Sequence, residues 1–302
     1  MCLSWFNLFT YYRREIEMSL KYYLLILLFF PIYRIEAQIL TPAGQIGSFN
    51  SATSFSINPS GFIYVADSGT NEITKIDTLG NVLKFIGGFG WSESQFDDPT
   101  GIYATTLNVY VADKNNHRIQ FFDKDLNFLS QFSNQNSADE KTVFRYPAGS
   151  AVSNQGDIYI LDSDNNRIMK FNSQGTYQLS IGSYDAGEFA LHFPKQFTIA
   201  DSRIFVIDVN RLLIFDQFGN GVKIIQLDFT PRNINSFQGD IFLTDQTRVT
   251  ILREDKIERG KFASQTISPQ TEVEIVDALQ FNEKLYVLTK AAVLVYNFIS
   301  NN

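Results

Sequence analysis

The segment Gly61-Phe62-Ile63-Tyr64-Val65-Ala66-Asp67 returns about six times along the chain, and this recurrence limits the fold more than any other feature. Copies lie at 108–113, 156–162 and 203–208, with weaker ones at 239–245 and 283–289. The step between copies is roughly in the mid-forties, with one shorter step from Asp208 to Asp245, which is the period of propeller blades. Each copy carries the same flanks. A short segment led by Pro precedes it: Pro99-Thr100-Gly101-Ile102, Pro147-Ala148-Gly149-Ser150, Pro194-Lys195-Gln196-Phe197 and Pro231-Arg232-Asn233-Ile234. A polar turn and a third apolar segment follow, as in His117-Arg118-Ile119-Gln120-Phe121-Phe122. Then comes a turn with a late Gly, as in Asp77-Thr78-Leu79-Gly80, which suits a positive φ, and an outer segment.

The repeat therefore reads as a four-stranded antiparallel meander. Its second strand is apolar at nearly every position, so both faces must be covered. Radial packing of one meander between two others does this and leaves only short edges. The expected fold is all-β, a six-bladed propeller with blades near 49–91, 96–134, 144–183, 193–228, 231–265 and 272–302. No window keeps a 3.6-residue period, so helices should be negligible. The last copy ends on its third strand, and Gln38-Ile39-Leu40-Thr41 has no hairpin partner of its own. Residues 38–46 are thus expected to complete the sixth blade and cover its open edge.

The pattern Pro-x-Gly-hydrophobic, Ile-Tyr-Val-Ala-Asp and Asn-Asn/His-Arg-Ile-x-x-Phe resembles the NHL-repeat propellers over essentially all of residues 38–302. The resemblance implies the fold but not one function, since the same scaffold serves as bacterial sensor domains, as binders of RNA or protein, and as a metal-using amidating lyase. The lyase's metal histidines have no counterparts here beyond His117 and His192.

Ahead of the repeats, Lys21 precedes the apolar run 22–33, and Ile35-Glu36-Ala37 offers a cleavage site before Gln38. A run of about a dozen apolar residues suits a signal peptide better than a membrane span of about 20. Residues 1–37 are expected to be that signal, with translation starting at Met18, and residues 38–302 to form a secreted or periplasmic domain without a membrane span. An uncleaved anchor is the alternative. Cys2 is the only cysteine, and no Asn-x-Ser/Thr sequon with x other than Pro occurs. The repeats thus hold no disulfide and no thiolate. A net charge of −7 disfavours nucleic acid.

One rim should collect the turns after the second strands and the loops between blades. It gathers Asp67, Asp113, Asp162, Asp208 and Asp245 with Arg118, Arg167, Arg211 and Arg248. A catalytic group is needed once and a turn residue in every blade, so the Asp series reads as turn caps accepting N–H groups two residues on. Arg118 and Arg167 follow the same rule and read as partners of nearby carboxylates, worth up to about 1 kcal/mol each if exposed. Positions that break the repeat carry more information. Lys195 and Arg232 stand where other copies have Thr100 and Ala148, at the start of innermost strands beside the channel. They could receive a carboxylate, uronate or phosphate, or pair with Asp201 or Asp228. The loops add His192, Arg145 and Trp91. Phe96, Phe144 and Phe189 recur before the Pro and should pack beneath the loops, whereas Trp91 has no equivalent and should be exposed.

The sequence shows no nucleophile elbow, metal cluster or phosphate loop. It is expected to be a monomeric, non-enzymatic module without cofactor, binding a protein, peptide or glycan through its loops. The alternative is a calcium-dependent lactonase-like hydrolase or lyase, which needs Asp, Glu and Asn oxygens converging on the channel.

Overall fold

The computed structural model describes residues 39–254, 260–269 and 272–299; the expected signal segment and cleavage site lie outside them. Six four-stranded antiparallel sheets make up the fold. Two single 3-10 turns, Glu140–Thr142 and Gly187–Phe189, are the helical segments among the described residues. None is a helix long and apolar enough to cross a membrane. Every copy of the repeat forms the second strand of a sheet: Ile63–Asp67, Asn108–Asp113, Ile158–Asp162, Arg203–Asp208, Asp240–Thr244 and Lys284–Thr289.

Those strands are apolar on both faces because each face meets a different blade. In the first blade, Ile63 and Val65 join the core shared with the sixth, whereas Tyr64 and Ala66 join the core shared with the second. In the third blade, Ile158 and Ile160 pack toward the second, and Tyr159 and Leu161 toward the fourth. Each strand thus contributes to two interblade cores at once, at roughly 1.5–3 kcal/mol per large apolar side chain buried. Further out, Asp77 accepts from the N–H groups of Leu79 (2.9 Å) and Asn81 (2.9 Å), and Gly80 takes φ 94° to close that turn. Asp123, Asn172 and Asp216 repeat the arrangement.

The innermost strand carries a register slip at one place in five blades: Ala52/Ser54, Pro99/Gly101, Pro147/Gly149, Pro194/Gln196 and Ile275/Asp277. In the fifth blade the paired register begins at Asn233 opposite Thr244, just past the slip position, and Arg232 donates its N–H to the Thr244 carbonyl (2.7 Å).

The ring closes as expected. Ile39–Ile46 pairs antiparallel with Val293–Ile299, from Leu40 opposite Phe298 to Ile46 opposite Val293. The first and last strands among the described residues therefore share the sixth sheet, whose core extends into the fifth and first blades. Leu40 and Ile46 pack partly buried against that core. Deleting residues 39–46 removes both side chains and bares an edge. The expected cost is a fall in Tm of about 5–10 °C at ~2–4 °C per kcal/mol, read by differential scanning calorimetry. An unchanged Tm would contradict closure by this strand.

Candidate functional site: the loop rim and the axial channel

The recurring aspartates do more than cap turns. Asp67 accepts from the N–H groups of Asn50 (2.7 Å) and Ser51 (2.8 Å) as well as from Gly69 (2.9 Å), two residues on. Asp113 accepts from the Asp97 N–H (2.8 Å), Asp162 from Arg145 (3.0 Å) and Asp208 from Phe193 (2.6 Å). Each carboxylate thus pins the loop that leads into its own blade.

In the second, third and fourth blades an arginine completes the clamp. Arg118 Nε donates to Asp113 (2.7 Å), and its terminal nitrogens donate to the carbonyls of Trp91 (2.7 Å), Ser92 (3.0 Å) and Gln95 (2.9 Å). Arg167 Nε donates to Asp162 (2.9 Å), and the rest of the guanidinium to the carbonyls of Lys141 and Val143. Arg211 joins Asp208 to the carbonyls of Glu188 and Ala190. In the fifth blade Arg248 still holds Asp245 (2.6 Å), but it lies over the Phe229 ring.

Arg118 and Arg167 thus pair with carboxylates as expected, and the pairs are not exposed. The Asp113, Asp162 and Asp208 side chains are fully buried, and the Arg118 side chain is 6% exposed. Removing one partner strands a buried charge, at about 3–5 kcal/mol. Asp113→Ala and Arg118→Ala should each lower unfolding stability by ~3 kcal/mol in urea, and the double variant by less than the sum. Additive losses would show that the two groups do not act together.

The clamps also account for three of the variable residues. His192 donates its N–H to Asp208, and its Nδ1 lies 3.1 Å from Arg211. Arg145 is tied by its N–H to Asp162, while its exposed guanidinium sits 3.6 Å from Glu140. Trp91 has its carbonyl held by Arg118 and its side chain in solvent, with the residue 77% exposed. Phe96 and Phe144 are buried, and Phe189 packs partly buried against Phe215. Trp91, Arg145 and His192 stand on three successive interblade loops and line none of the described clefts.

Lys195 and Arg232 do come together. They line one open cleft of about 530 Å³ between the fourth and fifth blades, with Thr230, Pro231, Asp245, Gln246 and Thr247. Gln246 and Thr247 belong to a turn that carries no distinguishing sequence signal. Arg232 donates to Glu274 (2.9 Å), with both side chains about half exposed. Lys195 is exposed and forms no ion pair among the described residues. Neither anticipated partner is engaged. Asp201 lies past the far end of Pro194–Ala200, and Asp228 is felt by Arg248 instead. Arg232 immediately precedes its strand, which begins at Asn233, and its N–H bonds the Thr244 carbonyl (2.7 Å).

The channel itself is lined by the next residues along. At the level of the slip the blades present Ser54, Gly101, Gly149, Gln196, Asn233 and Asp277, one from each, around a cavity of about 20 Å³. The glycines make room for neighbours: a Cβ on Gly149 would meet Gln196 Oε1, and one on Gly101 would lie 2.7 Å from the Ala148 carbonyl oxygen. Asp277 is buried, accepting from the Ala278 N–H (2.8 Å) and from Asn235 Nδ2 (3.3 Å). Burial pushes its pKa up to about 8. It is the one carboxylate among the cavity's described lining residues, where a lactonase-like site needs several. No group of three or more His, Cys, Asp or Glu among the described residues is placed to hold a metal ion.

The NHL repeat pattern matches residues 96–122 and 144–171, which span the second and third blades where the clamps are complete. The chain carries NHL repeats. Over 140 residues it is 37% identical to "Protein brain tumor" of Drosophila melanogaster, an alignment covering 44% of this chain and 13% of that protein. Over 139 residues it is 34% identical to "B-box type zinc finger protein ncl-1" of Caenorhabditis elegans, covering 44% and 16%. The match thus spans under a fifth of either relative. Among solved structures, a streptogramin B lyase superposes with a TM-score of 0.60 at 12% identity, covering 87% of this chain and 98% of that one. A virginiamycin B lyase from Staphylococcus aureus gives 0.61 at 10% identity, covering 87% and 99%. At those identities the likeness shows the fold that the NHL repeats build here, and nothing of activity.

Proposed function

We propose that this NHL propeller is an exported, non-enzymatic binding module that holds an acidic segment of a protein partner in the cleft between its fourth and fifth blades. The observation that carries the reading is that Lys195 and Arg232 line one open cleft, on a protein whose rim arginines Arg118, Arg167 and Arg211 are spent on clamps. Both residues depart from the repeat, so the architecture does not require them. A guanidinium and an ammonium at the mouth of a cleft suit carboxylates, one through a planar fork and the other through a point charge. Glu274 occupies Arg232 until an incoming carboxylate displaces it. Asp245 accepts from the N–H groups of Thr247 (2.8 Å) and Arg248 (3.0 Å), so the turn in the cleft wall is held by its own hydrogen bonds and binding orders little backbone. Export is supported by the apolar run before Gln38 and by a repeat region without cysteine.

The test is partner capture from native extract with the purified propeller, followed by titration of the captured protein. Lys195→Ala and Arg232→Ala should each weaken binding by about fivefold, the upper range for an exposed pair. The double variant should also flatten the salt dependence while leaving Tm unchanged. A captured protein that binds the double variant as tightly as wild type would overturn the reading. So would a partner whose acidic segment can be neutralised without loss, or capture that depends on glycan alone.

A further inference from the structure

The axial cavity is built from all six innermost strands, yet its chemistry is one-sided. Gly101 and Gly149 present no side chain, while Ser54, Gln196, Asn233 and Asp277 present polar groups. Those amides are already committed in part. Gln196 Oε1 accepts from the Phe197 N–H (3.0 Å) and Nε2 donates to the Ala148 carbonyl (3.1 Å), while Asn233 Oδ1 accepts from the Ile234 N–H (2.9 Å). Two groups remain under-satisfied. The Asp277 carboxylate receives hydrogen bonds only from neutral donors, and no cationic side chain lines the cavity among the described residues. Ser150 also lines the cavity; it is 8% exposed, and its buried Oγ has no hydrogen-bond partner.

Without a countercharge the buried Asp277 is held mostly as the neutral acid, and a cation beside it is what would let it ionise; the orphan Ser150 hydroxyl oxygen is costly to leave so. Their shared cavity, about 20 Å³, holds roughly one water-sized body. The lining offers oxygen and amide groups and neither thiol nor imidazole, which selects hard cations. Protein calcium sites gather about six to eight oxygens and magnesium keeps several waters, neither of which fits a cavity of about 20 Å³, whereas the single Asp277 carboxylate balances a single positive charge.

We propose that this cavity is a binding site for one sodium-sized monovalent cation, with Asp277 supplying the countercharge and Ser150 Oγ a further ligand. The site lies on the closing seam of the ring. Asp277 belongs to the sixth blade and contacts Asn235 of the fifth, whose Nδ2 also donates to the Phe55 carbonyl of the first (2.9 Å). An ion held there ties the blades that the first and last strands bring together, so occupancy should be read directly in stability.

The experiment is thermal unfolding of the intact protein at a fixed pH above 8, where Asp277 ionises, and at fixed ionic strength, with sodium chloride exchanged for choline chloride. Tm should rise by several degrees in sodium, saturably, and less in potassium. Asp277→Asn, which keeps the shape and removes the charge, should abolish the sodium dependence, and Ser150→Ala should weaken it several-fold. Should Asp277→Asn not fold, the Ser150→Ala titration and sodium NMR line broadening on the wild type, competed by potassium, give the answer. Equal Tm in sodium and choline, or a sodium effect that survives in Asp277→Asn, would overturn the proposal. A response to calcium that sodium cannot reproduce would overturn the monovalent assignment.

Discussion

A sheet made of hairpins, with a second strand apolar on both faces, cannot be stable alone; this constraint organises the whole molecule. Ile63 and Val65 need one neighbour, Tyr64 and Ala66 another, and the same holds around the ring. The last sheet then needs a fourth strand to cover its edge, which only the segment before the first blade supplies. Circular closure follows from the burial pattern, with no disulfide required.

Burial fixes the sheets but not the loops between them, and the clamps perform that second task. Asp113, Asp162 and Asp208 lie buried beneath loops whose backbone N–H groups and carbonyls would otherwise lack partners. The carboxylate takes the N–H groups and the arginine takes the carbonyls, so one ion pair secures a loop of about ten residues. This explains why Asp and Arg recur together and why neither is free to bind a ligand. The full clamps stand in three consecutive blades; in the fifth, Arg248 keeps its pair with Asp245 but lies over Phe229, and the rim there opens into a cleft.

Much of this was legible in the sequence. The period of the Ile-Tyr-Val-Ala-Asp copies gave six blades, its unbroken apolar run gave burial on both faces, and the unpaired segment before Phe49 gave the closing strand. The clamps were half legible. Recurrence marked Asp113 and Arg118 as structural, but their partners are backbone atoms some 16 to 27 residues away, and backbone atoms leave no trace in residue identity. The later start of the fifth blade's innermost strand was hidden because Pro231-Arg232 resembles Pro194-Lys195, while its pairing begins at Asn233. The channel ring was illegible because its level is occupied by a different residue type in nearly every blade, with Asp277 in a copy that has no Pro to mark the place.

The central claim is a division of labour, in which repeated residues hold the rim and divergent ones meet the partner. It is tested most directly by measuring Tm and partner affinity together for two sets of alanine variants, Asp162 and Arg167 against Lys195 and Arg232. The account predicts that the first pair loses stability and that the second loses affinity at unchanged Tm. If Lys195→Ala and Arg232→Ala instead destabilised the fold without touching affinity, the division would be contradicted.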